Sequence, residues 1–291
     1  MARMLSRAIW VKGEIMGFRN VAVKPLGKMP PFRKIAMGTW ARPGDPQIYG
    51  TLEIDLTQAN AWLARQPPEA PKVTVTHMIA RAIGLALARY PELNGFVRFR
   101  KIYLRQSVDL AILAAVKHDS GREDLSSVKL EGVDKMSVGQ IAQALADRLE
   151  YLRQKRDTAL QKTAKMLSVL PGFLVRFLLW FTAFVSYTLN IRFPGIPKDS
   201  FGACILTNVG MFGLDLAFAP LVPYSRAPIV LLVGEAKKRP VVVEDRVEVR
   251  EMVRLNATID HRFCDGALLA KMVKVIREVF ADPDTHFGPS A

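Results

Sequence analysis

Residues 253–280 change from one hydrophobic pattern to another, and the change divides this part of the chain into two elements. Residues 253–260 alternate apolar and polar side chains, which predicts a strand. Residues 269–280 repeat apolar side chains at helical spacing, which predicts a helix. His261 and Asp265 lie in the short corner between these two elements. Because rigid elements hold such corners in place, catalytic side chains are often found in them.

The same two patterns predict strands and helices along most of the chain. Strands are expected at TLEIDL, FVRFRKIYL, VDLAILAAV, ACILTN and PIVLLVG, and a hairpin is expected at PVVVEDRVEV. Helices are expected at TQANAWLARQ, from Thr76 to Pro91, and from about Ser137 onwards, with Thr76 as the cap of the second helix. This interleaving predicts a single α/β domain with helices on one face of a sheet.

Residues 177–191, FLLWFTAFVSYTLNI, contain no charged side chain. The run is short for a transmembrane helix, which needs roughly 20 apolar residues. Three interpretations stay open: a core helix, a surface covered by another subunit, and a helix that lies on a membrane. The basic residues that precede the run suit an anionic lipid surface and equally suit a solvated helix face.

The formal net charge of +14 indicates an anionic partner. Nucleic acid, an acidic membrane surface and a phosphorylated carrier such as coenzyme A all fit this charge. The sequence has no zinc-finger spacing, helix-turn-helix signal or single-strand-binding pattern, so no nucleic-acid partner is expected. The basic N-terminus lacks an apolar run long enough for a secretory signal, and a cytoplasmic location, peripheral to a membrane in one interpretation, is expected.

The chain has two cysteines, Cys204 and Cys264, which indicate neither a disulfide framework nor a cysteine-based metal site. No metal is expected. Cys264 lies inside the corner, where a nucleophilic thiol is one interpretation. A buried thiol that fills space is the favoured interpretation, since free cysteine commonly behaves as a small hydrophobe.

The corner has the residue types that proton transfer needs. A histidine such as His261 accepts a proton near neutral pH and returns it later, provided that its ring is held in a fixed orientation. Asp265 is expected either to organise the loop around His261 or merely to cap the following helix. Gly266 is expected to let the backbone turn tightly. From the spacing alone, both a catalytic and a structural role stay open for His261.

The stretch DHRFCDG resembles the DHRxxDG motif of the dihydrolipoamide acyltransferases, the core subunits of 2-oxoacid dehydrogenase complexes, which belong to the chloramphenicol acetyltransferase-like superfamily. Further segments resemble the family in the same order, namely FRKIA at 32–36, PELNG at 91–95, LTNVGMFG at 206–213 and APIVLLVGEAKKRPVV at 227–242. The resemblance implies a chloramphenicol acetyltransferase-like α/β fold, a mixed sheet with helices on one face, and a trimer. It places the catalytic domain at residues 30–291, after a basic tail at residues 1–29.

The resemblance also implies a role for each matching residue. His261 matches the general base that takes a proton from the acceptor. Thr207 matches the residue whose hydroxyl donates to the oxyanion, a contact worth on the order of 3 kcal/mol. Asp265 matches a structural aspartate, for which Arg33 is the expected partner. Asn208 matches an asparagine beside the oxyanion donor.

The implied substrates are a coenzyme A thioester and a thiol or hydroxyl acceptor, with the site between subunits of a homotrimer or of a larger assembly of trimers. Only about 30 residues precede the domain, so a stand-alone enzyme without its own lipoyl group is expected, and a lipoyl acceptor would belong to another protein. The segment 166–196 is expected to be a hydrophobic insertion, which would reshape the acceptor channel, line a slot for a longer acyl chain, or contact a membrane surface. Two alternatives remain: an O- or N-acyltransferase that acts on a small molecule, as chloramphenicol acetyltransferase does, and a non-catalytic oligomeric or membrane scaffold.

Overall fold

The computed structural model describes residues 46–117, 123–154, 172–192 and 198–288, together with residues 21, 23–25 and 27. The strands are β1 (Val23–Pro25), β2 (Gln47–Asp55), β3 (Gly95–Arg98), β4 (Lys101–Arg105), β5 (Leu110–Lys117), β6 (Glu123–Leu130), β7 (Cys204–Asn208), β8 (Ile229–Val233), β9 (Lys237–Val243) and β10 (Arg246–Asp260). The helices are α1 (Thr57–Ala64), α2 (Val75–Arg89), α3 (Val138–Gln154), α4 (Gly172–Ala183), α5 (Gly266–Ala281) and α6 (Pro283–His286).

The larger sheet has the order β2-β10-β8-β7-β5-β6, and β9 pairs with β10 beyond the end of β2. It is a mixed sheet, because β5, β7 and β8 run parallel while the other pairs are antiparallel. β10 is a single strand of 15 residues, although the sequence predicted a hairpin strand and a separate strand there. Its first half pairs with β9 and its second half lies between β2 and β8.

The helices cover one face of this sheet, as the sequence predicted. Alternate strand residues and the apolar faces of α2 and α5 form one continuous core, which includes Leu110, Ile112, Leu206, Leu231 and Leu255 from the sheet and Met78, Ile79, Ile83, Met272 and Ile276 from the helices. Burying a side chain of this size stabilises the fold by roughly 1.5–3 kcal/mol. The opposite face is covered by the segment between β7 and β8, whose Leu221 and Val222 pack on Ile205 and Leu232.

Two local predictions were wrong. Thr74, not Thr76, caps α2, because the residue three positions after Thr74 is His77, whose Nδ1 accepts the backbone N–H of Thr74 at 3.1 Å. The segment FVRFRKIYL forms the hairpin β3–β4 rather than one strand. Phe99 and Arg100 turn the chain with φ of 47° and 58°, a left-handed conformation that the sequence does not signal because neither residue is glycine or asparagine.

A smaller antiparallel sheet, β1-β4-β3, holds the end of the apolar segment. α4 continues into a π-helical turn, Phe184–Thr188, whose Tyr187 packs on Phe96 with ring centroids 5.9 Å apart. The side-chain amide of Asn190 makes two hydrogen bonds with the backbone of Val21, at 2.7 and 2.9 Å. These contacts attach residues 184–190 to the small sheet.

A buried ion pair fixes the entry into β7. Arg105 on β4 donates to Asp199 at 2.8 and 3.3 Å, and the two side chains are 1% and 6% exposed. Burial by itself would raise the pKa of Asp199, but the charge of Arg105 outweighs it and holds the pKa below its usual range. Tyr187 also hydrogen-bonds to Asp199, so the apolar segment and β7 meet at this pair.

Candidate active site

His261 follows the last residue of β10, and a hydrogen bond of its ring fixes which nitrogen carries the proton. Its backbone N–H donates to the carbonyl of Pro46 at 2.8 Å, and Nδ1 lies 3.0 Å from the carbonyl oxygen of Cys264. A carbonyl oxygen only accepts, so Nδ1 must carry the proton in this contact and Nε2 is the basic nitrogen of the neutral ring. The corner therefore presents a histidine with a defined tautomer.

Asp260 and Arg262 build the turn that carries His261. The carboxylate of Asp260 accepts three hydrogen bonds from Arg262, one from the backbone N–H at 3.0 Å and two from the guanidinium at 2.9 and 2.7 Å. The backbone carbonyl of Asp260 accepts from Phe263 and Cys264 at 2.9 and 3.0 Å. This role was not predicted from the sequence, although the alternating charges in DHR are a signal for it.

Asp265 caps α5. Its Oδ1 accepts the backbone N–H of Leu268 at 2.9 Å, so the carboxylate fixes the helix that follows the corner. The prediction that Gly266 is needed for a tight turn was wrong: its φ is not positive and an added Cβ would meet open space. Arg33, the expected partner of Asp265, lies outside the described residues.

Both cysteines are buried. Cys204 lies on β7 in the core, and burial raises the pKa of its thiol. Cys264 is 0% exposed, which agrees with a packing role. Among the residues with described positions, no group of three His, Cys, Asp or Glu side chains could hold a metal ion.

Thr207 and Asn208 end β7. Thr207 is partly exposed and lies on the sheet face opposite to the helices, between Leu113 of β5 and Leu232 of β8. Asn208 lies on the helix side, where its Nδ2 donates to the hydroxyl of Thr76 at 2.9 Å and its Oδ1 accepts the backbone N–H of Met211 at 3.3 Å. Asn208 therefore fixes the end of β7 between α2 and the following turn.

The turn after Asn208 favours glycine at two positions, since Gly213 has a left-handed φ of +72° and Gly210 closely approaches other backbone. A Cβ at Gly210 would overlap the backbone carbonyl of Gly234, which follows β8. The close approach brings the turn against the end of β8, where the backbone N–H of Val209 donates to the carbonyl of Val233 at 2.9 Å. The residues of NVGMFG therefore fix the position of the backbone that follows Thr207.

The structure does not bring His261 and Thr207 together within one copy of the chain. Thr207 is level with Leu232, which pairs with Asn256, and His261 follows five residues later on the same strand. With two strand spacings across and five residues along, the two residues lie roughly 19 Å apart. His261 is at the end of the sheet where β7 and β8 begin, and Thr207 is at the end where they finish.

The Thr207 end of the molecule exposes apolar side chains. Met211 and Phe212 in the turn are 60% and 59% exposed, and Leu216 is 57% exposed. A cavity of about 490 Å³ lies at the same end, against the edge of β2, and is lined by Thr51, Leu52, Glu53, Leu216, Arg254 and Arg277. The sequence patterns gave no indication of this cavity, because residues distant along the chain build it.

The β9–β10 hairpin also exposes apolar side chains where it extends past β2. Val242 and Val247 are paired across the hairpin and each is 73% exposed, and Val249 is 71% exposed. Val242, Val247 and Val249 lie on one face, because residues directly opposite each other and residues two apart share a face. An isolated two-stranded ribbon is marginally stable in water. This face of the hairpin is therefore suited to contact another surface.

The family model and the curated relatives that match this chain describe acyltransferases. Residues 39–169 and 198–287 match the family model of the 2-oxoacid dehydrogenases acyltransferase catalytic domain. Residues 170–197, which the match leaves out, overlap most of the segment 166–196 that was predicted to be an insertion. A dihydrolipoyllysine-residue acetyltransferase component of the acetoin cleaving system from Bacillus subtilis is 23% identical over 242 residues, which are 81% of this chain and 50% of that protein.

Solved structures show the same fold. A probable dihydrolipoamide acetyltransferase from Listeria monocytogenes matches with a TM-score of 0.61 at 19% identity, over 91% of this chain and 97% of that chain. The cubic core of a pyruvate dehydrogenase multienzyme complex matches with a TM-score of 0.60 at 20% identity, over 90% and 93%. The chain spans half or less of the length of the curated relatives that it matches.

Proposed function

The chain belongs to the family of 2-oxoacid dehydrogenase acyltransferase catalytic domains, and we propose that it transfers an acyl group from a coenzyme A thioester to a thiol acceptor. The observation that carries the proposal is the position of His261 at the end of β10 with its Nδ1–H directed at the carbonyl of Cys264. This contact leaves Nε2 as the nitrogen that accepts a proton.

In the proposed reaction, Nε2 of His261 takes the proton of the acceptor S–H group as the sulfur attacks the thioester carbonyl. The carbonyl π electrons move to oxygen and a tetrahedral oxyanion forms. The hydroxyl of Thr207 donates a hydrogen bond to this oxyanion. The intermediate then breaks its bond to the coenzyme A sulfur, which leaves as a thiolate and takes the proton from His261.

We assign the two groups to different copies of the chain. Since His261 and Thr207 lie roughly 19 Å apart in one copy, a single substrate carbonyl cannot contact both. A cyclic trimer brings the His261 end of one copy to the Thr207 end of the next, and each interface then holds one complete site. The exposed valines of the β9–β10 hairpin and the exposed Met211 and Phe212 support an interface on the Thr207 side.

We propose a dihydrolipoyl group as the natural acceptor, carried on another protein or on a further domain. The relatives are named for transfer to or from a dihydrolipoyl-lysine residue, which supports the choice. A vicinal dithiol is also a more reactive nucleophile than an alcohol, because a thiol loses its proton more readily.

The test is an acyl-transfer assay on the purified chain, with acetyl-coenzyme A and longer acyl donors against free dihydrolipoamide. Products are identified by mass spectrometry, since dihydrolipoamide and released coenzyme A are both thiols. Acyl-dihydrolipoamide formation that stops in the His261→Ala variant supports the proposal. Transfer only to hydroxyl or amine acceptors would favour a small-molecule acyltransferase, and no transfer to any acceptor would favour a non-catalytic scaffold.

The apolar segment 172–192 carries a separate proposal, that its exposed face lies on an anionic membrane surface. Phe177, Trp180 and Phe181 are 58%, 55% and 39% exposed, and their rings form a continuous patch with centroid distances of 6.0 and 6.1 Å. This face is therefore not part of the core of a single copy. Within the described ranges, no helix is long and apolar enough to cross a membrane. Apolar helices with flanking cationic residues are typical of a lipid interface, and arginines flank this apolar run in the sequence at positions 176 and 192.

Flotation with liposomes tests this contact. The intact chain should float with vesicles that contain anionic lipid, and a Phe177→Glu, Trp180→Glu variant should remain in the dense fraction. Exposed Leu214 at the other end of the sheet provides the control, since Leu214→Glu changes charge and apolar area without altering the segment. Equal flotation of all three proteins would contradict membrane contact through residues 172–192.

A further inference from the structure

We infer that Arg226 forms a binding site for an anionic group of the substrate beside His261. The inference deepens the proposed function and depends on it, because it assigns to Arg226 the recognition of a carboxylate or phosphate on the acyl donor. Arg226 lies in the segment that leads into β8 and has no counterpart in the motifs that identified His261 and Thr207.

The pairing of β8 with β10 places Arg226 next to the corner. Ile229 is opposite Ile259, and the backbone N–H of Asp260 donates to the carbonyl of Pro228 at 2.9 Å. Arg226 precedes Pro228 by two residues and acts electrostatically on Asp260 and Arg262, the residues on either side of His261. The guanidinium of Arg226 therefore lies near the turn that carries the proposed base.

Arg226 has no anionic partner among the described residues. Among the residues that the structure describes, it makes no hydrogen bond or ion pair, and its Nε is buried without a hydrogen-bond partner. Two other arginines also have a buried Nε without a hydrogen-bond partner, but each guanidinium interacts with another side chain. Arg98 lies over the rings of Phe99 and Tyr103, and Arg239 pairs with Asp215.

The nearest acid does not compensate Arg226. Asp260 acts on Arg226 electrostatically, yet its two carboxylate oxygens already accept three hydrogen bonds from Arg262. Burial and the charge of Arg262 both lower the pKa of Arg226, which shows that the surroundings disfavour its charge. Arg226, Arg262 and Asp260 together carry one net positive charge. Because Arg226 is partly buried and makes no ion pair with a described residue, an anion that joins it stabilises its charge.

The backbone conformation of Arg226 is unusual for a non-glycine residue. Its φ is +54°, in the left-handed region that a non-glycine residue rarely adopts. Tyr187, from the apolar segment, lies close enough to act on Arg226 electrostatically. The guanidinium thus lies where residues 184–190, the start of β8 and the His261 corner meet.

A guanidinium presents a planar fork of N–H donors, which matches carboxylate and phosphate groups. Two parts of an acyl-coenzyme A donor carry such groups. One is a carboxylate at the far end of a dicarboxylic acyl chain, and the other is a phosphate of the coenzyme A portion. The shared chemistry is an anionic oxygen pair, and the donor used in the assay separates the two sources.

The experiment compares the wild-type enzyme with Arg226→Gln, Arg226→Lys and the surface control Lys274→Gln, whose side chain is 68% exposed. Three donors are used with dihydrolipoamide as acceptor: acetyl-coenzyme A, succinyl-coenzyme A and acetyl-pantetheine, which has neither phosphate nor carboxylate. Arg226→Gln should lower kcat/KM about 10- to 100-fold for donors that carry the anion. Arg226→Lys should retain more of the activity than Arg226→Gln, and Lys274→Gln should match the wild type.

The set of donors for which Arg226→Gln loses kcat/KM identifies which anion Arg226 binds. A loss confined to succinyl-coenzyme A assigns the acyl carboxylate, and an equal loss with both coenzyme A donors but not with acetyl-pantetheine assigns the phosphate. Unchanged kcat/KM for all donors, or an equal loss for all three, overturns the inference. A changed oligomer mass of Arg226→Gln by light scattering also overturns it, because Arg226 would then pair with a neighbouring copy.

Calorimetric binding separates this inference from the proposed function. Titration of wild type and Arg226→Gln with coenzyme A and with succinate requires no turnover. If the wild type transfers no acyl group but Arg226→Gln still loses binding of either probe, the proposed reaction fails and the anion site remains. If transfer occurs and neither binding nor kcat/KM depends on Arg226, the anion site fails alone.

Discussion

Thr207 and His261 lie at opposite ends of the same sheet, two strands apart and five residues out of register. The separation of roughly 19 Å is fixed by strand geometry, because a strand rises about 3.3 Å per residue and neighbouring strands are about 4.8 Å apart. No side-chain rotation closes this distance. If both residues act on one substrate carbonyl, they must come from two copies of the chain.

Complementation tests this arrangement directly. Co-expression of His261→Ala and Thr207→Ala copies with different tags, followed by purification on both tags, yields mixed assemblies, which are trimers in the proposed arrangement. Each mixed trimer contains one interface with an intact His261 facing an intact Thr207, so its activity should be about one third of the wild-type value. Each variant alone should be much less active. Mixed assemblies no more active than the mean of the two variants would place the two groups in one copy or outside the site.

Replacing the proposed base should affect turnover but not folding. His261→Ala should lower kcat about 10²- to 10⁴-fold, because it removes the proposed base that takes the proton of the acceptor. Its melting temperature should change little, since His261 is only partly buried. His286→Ala on α6 is the matched control and should retain full activity. If His261→Ala retains kcat, the assignment of the base is wrong.

The hydroxyl of Thr207 should matter more than its methyl group. Thr207→Ala should lower kcat about 10²- to 10³-fold, as expected for the loss of one oxyanion donor. Thr207→Ser keeps the hydroxyl and should recover most of the rate. Steady-state kinetics with acetyl-coenzyme A and dihydrolipoamide distinguish the two variants. Equal defects in alanine and serine variants would show that Thr207 acts through packing.

Alanine substitution at Gly210 and at Gly50 should change the stability of the fold in opposite directions. Gly210→Ala forces a Cβ into the carbonyl of Gly234 and should destabilise the fold by about 2 kcal/mol or more. Gly50→Ala on β2 meets open space and should stabilise the fold by about 0.5–1 kcal/mol, because it reduces the freedom of the unfolded chain. Urea unfolding of both variants provides the measurement. Similar effects of the two substitutions would contradict the close approach at Gly210.

His77 should make stability depend on pH. Burial lowers the pKa of His77 from 6.5 to about 4, and its Nδ1 accepts the backbone N–H of Thr74 only in the neutral form. A lowered folded pKa means that the unfolded chain takes up the proton first. Its contribution to stability is therefore complete above pH 6.5 and decreases as pH falls towards 4, by about 3 kcal/mol in total.

The control for this effect is His77→Gln, which keeps a hydrogen-bond acceptor at the third position of α2 and does not titrate. The free energy of unfolding of wild type and variant should be compared at pH 7 and pH 4.5. The wild type should lose more stability than the variant over this range. Parallel pH profiles would show that His77 titrates normally in the folded protein.

Much of the fold could be predicted from sequence because its periodicity is local. Alternation in β2 and β10 and helical spacing in α2, α3 and α5 follow from which face each side chain buries. The turn at Phe99 and Arg100 was not predictable, since neither residue is of a type that signals positive φ. The cap of α2 was misplaced by two residues because either threonine could cap, and the partner His77 decided between them.

For the site, the sequence by itself determined which groups are available: a histidine and an aspartate between a strand and a helix, and a threonine–asparagine pair at a strand end. The order of these residues along the chain carries that information, because local spacing fixes the corner and the turn. Only the tertiary structure decided that His261 and Thr207 lie at opposite ends of the sheet, that Asp260 is engaged by Arg262, and that Arg226 makes no ion pair with the part of the chain that the structure describes. Those facts depend on strand order, register and burial, which residues far apart in sequence establish together.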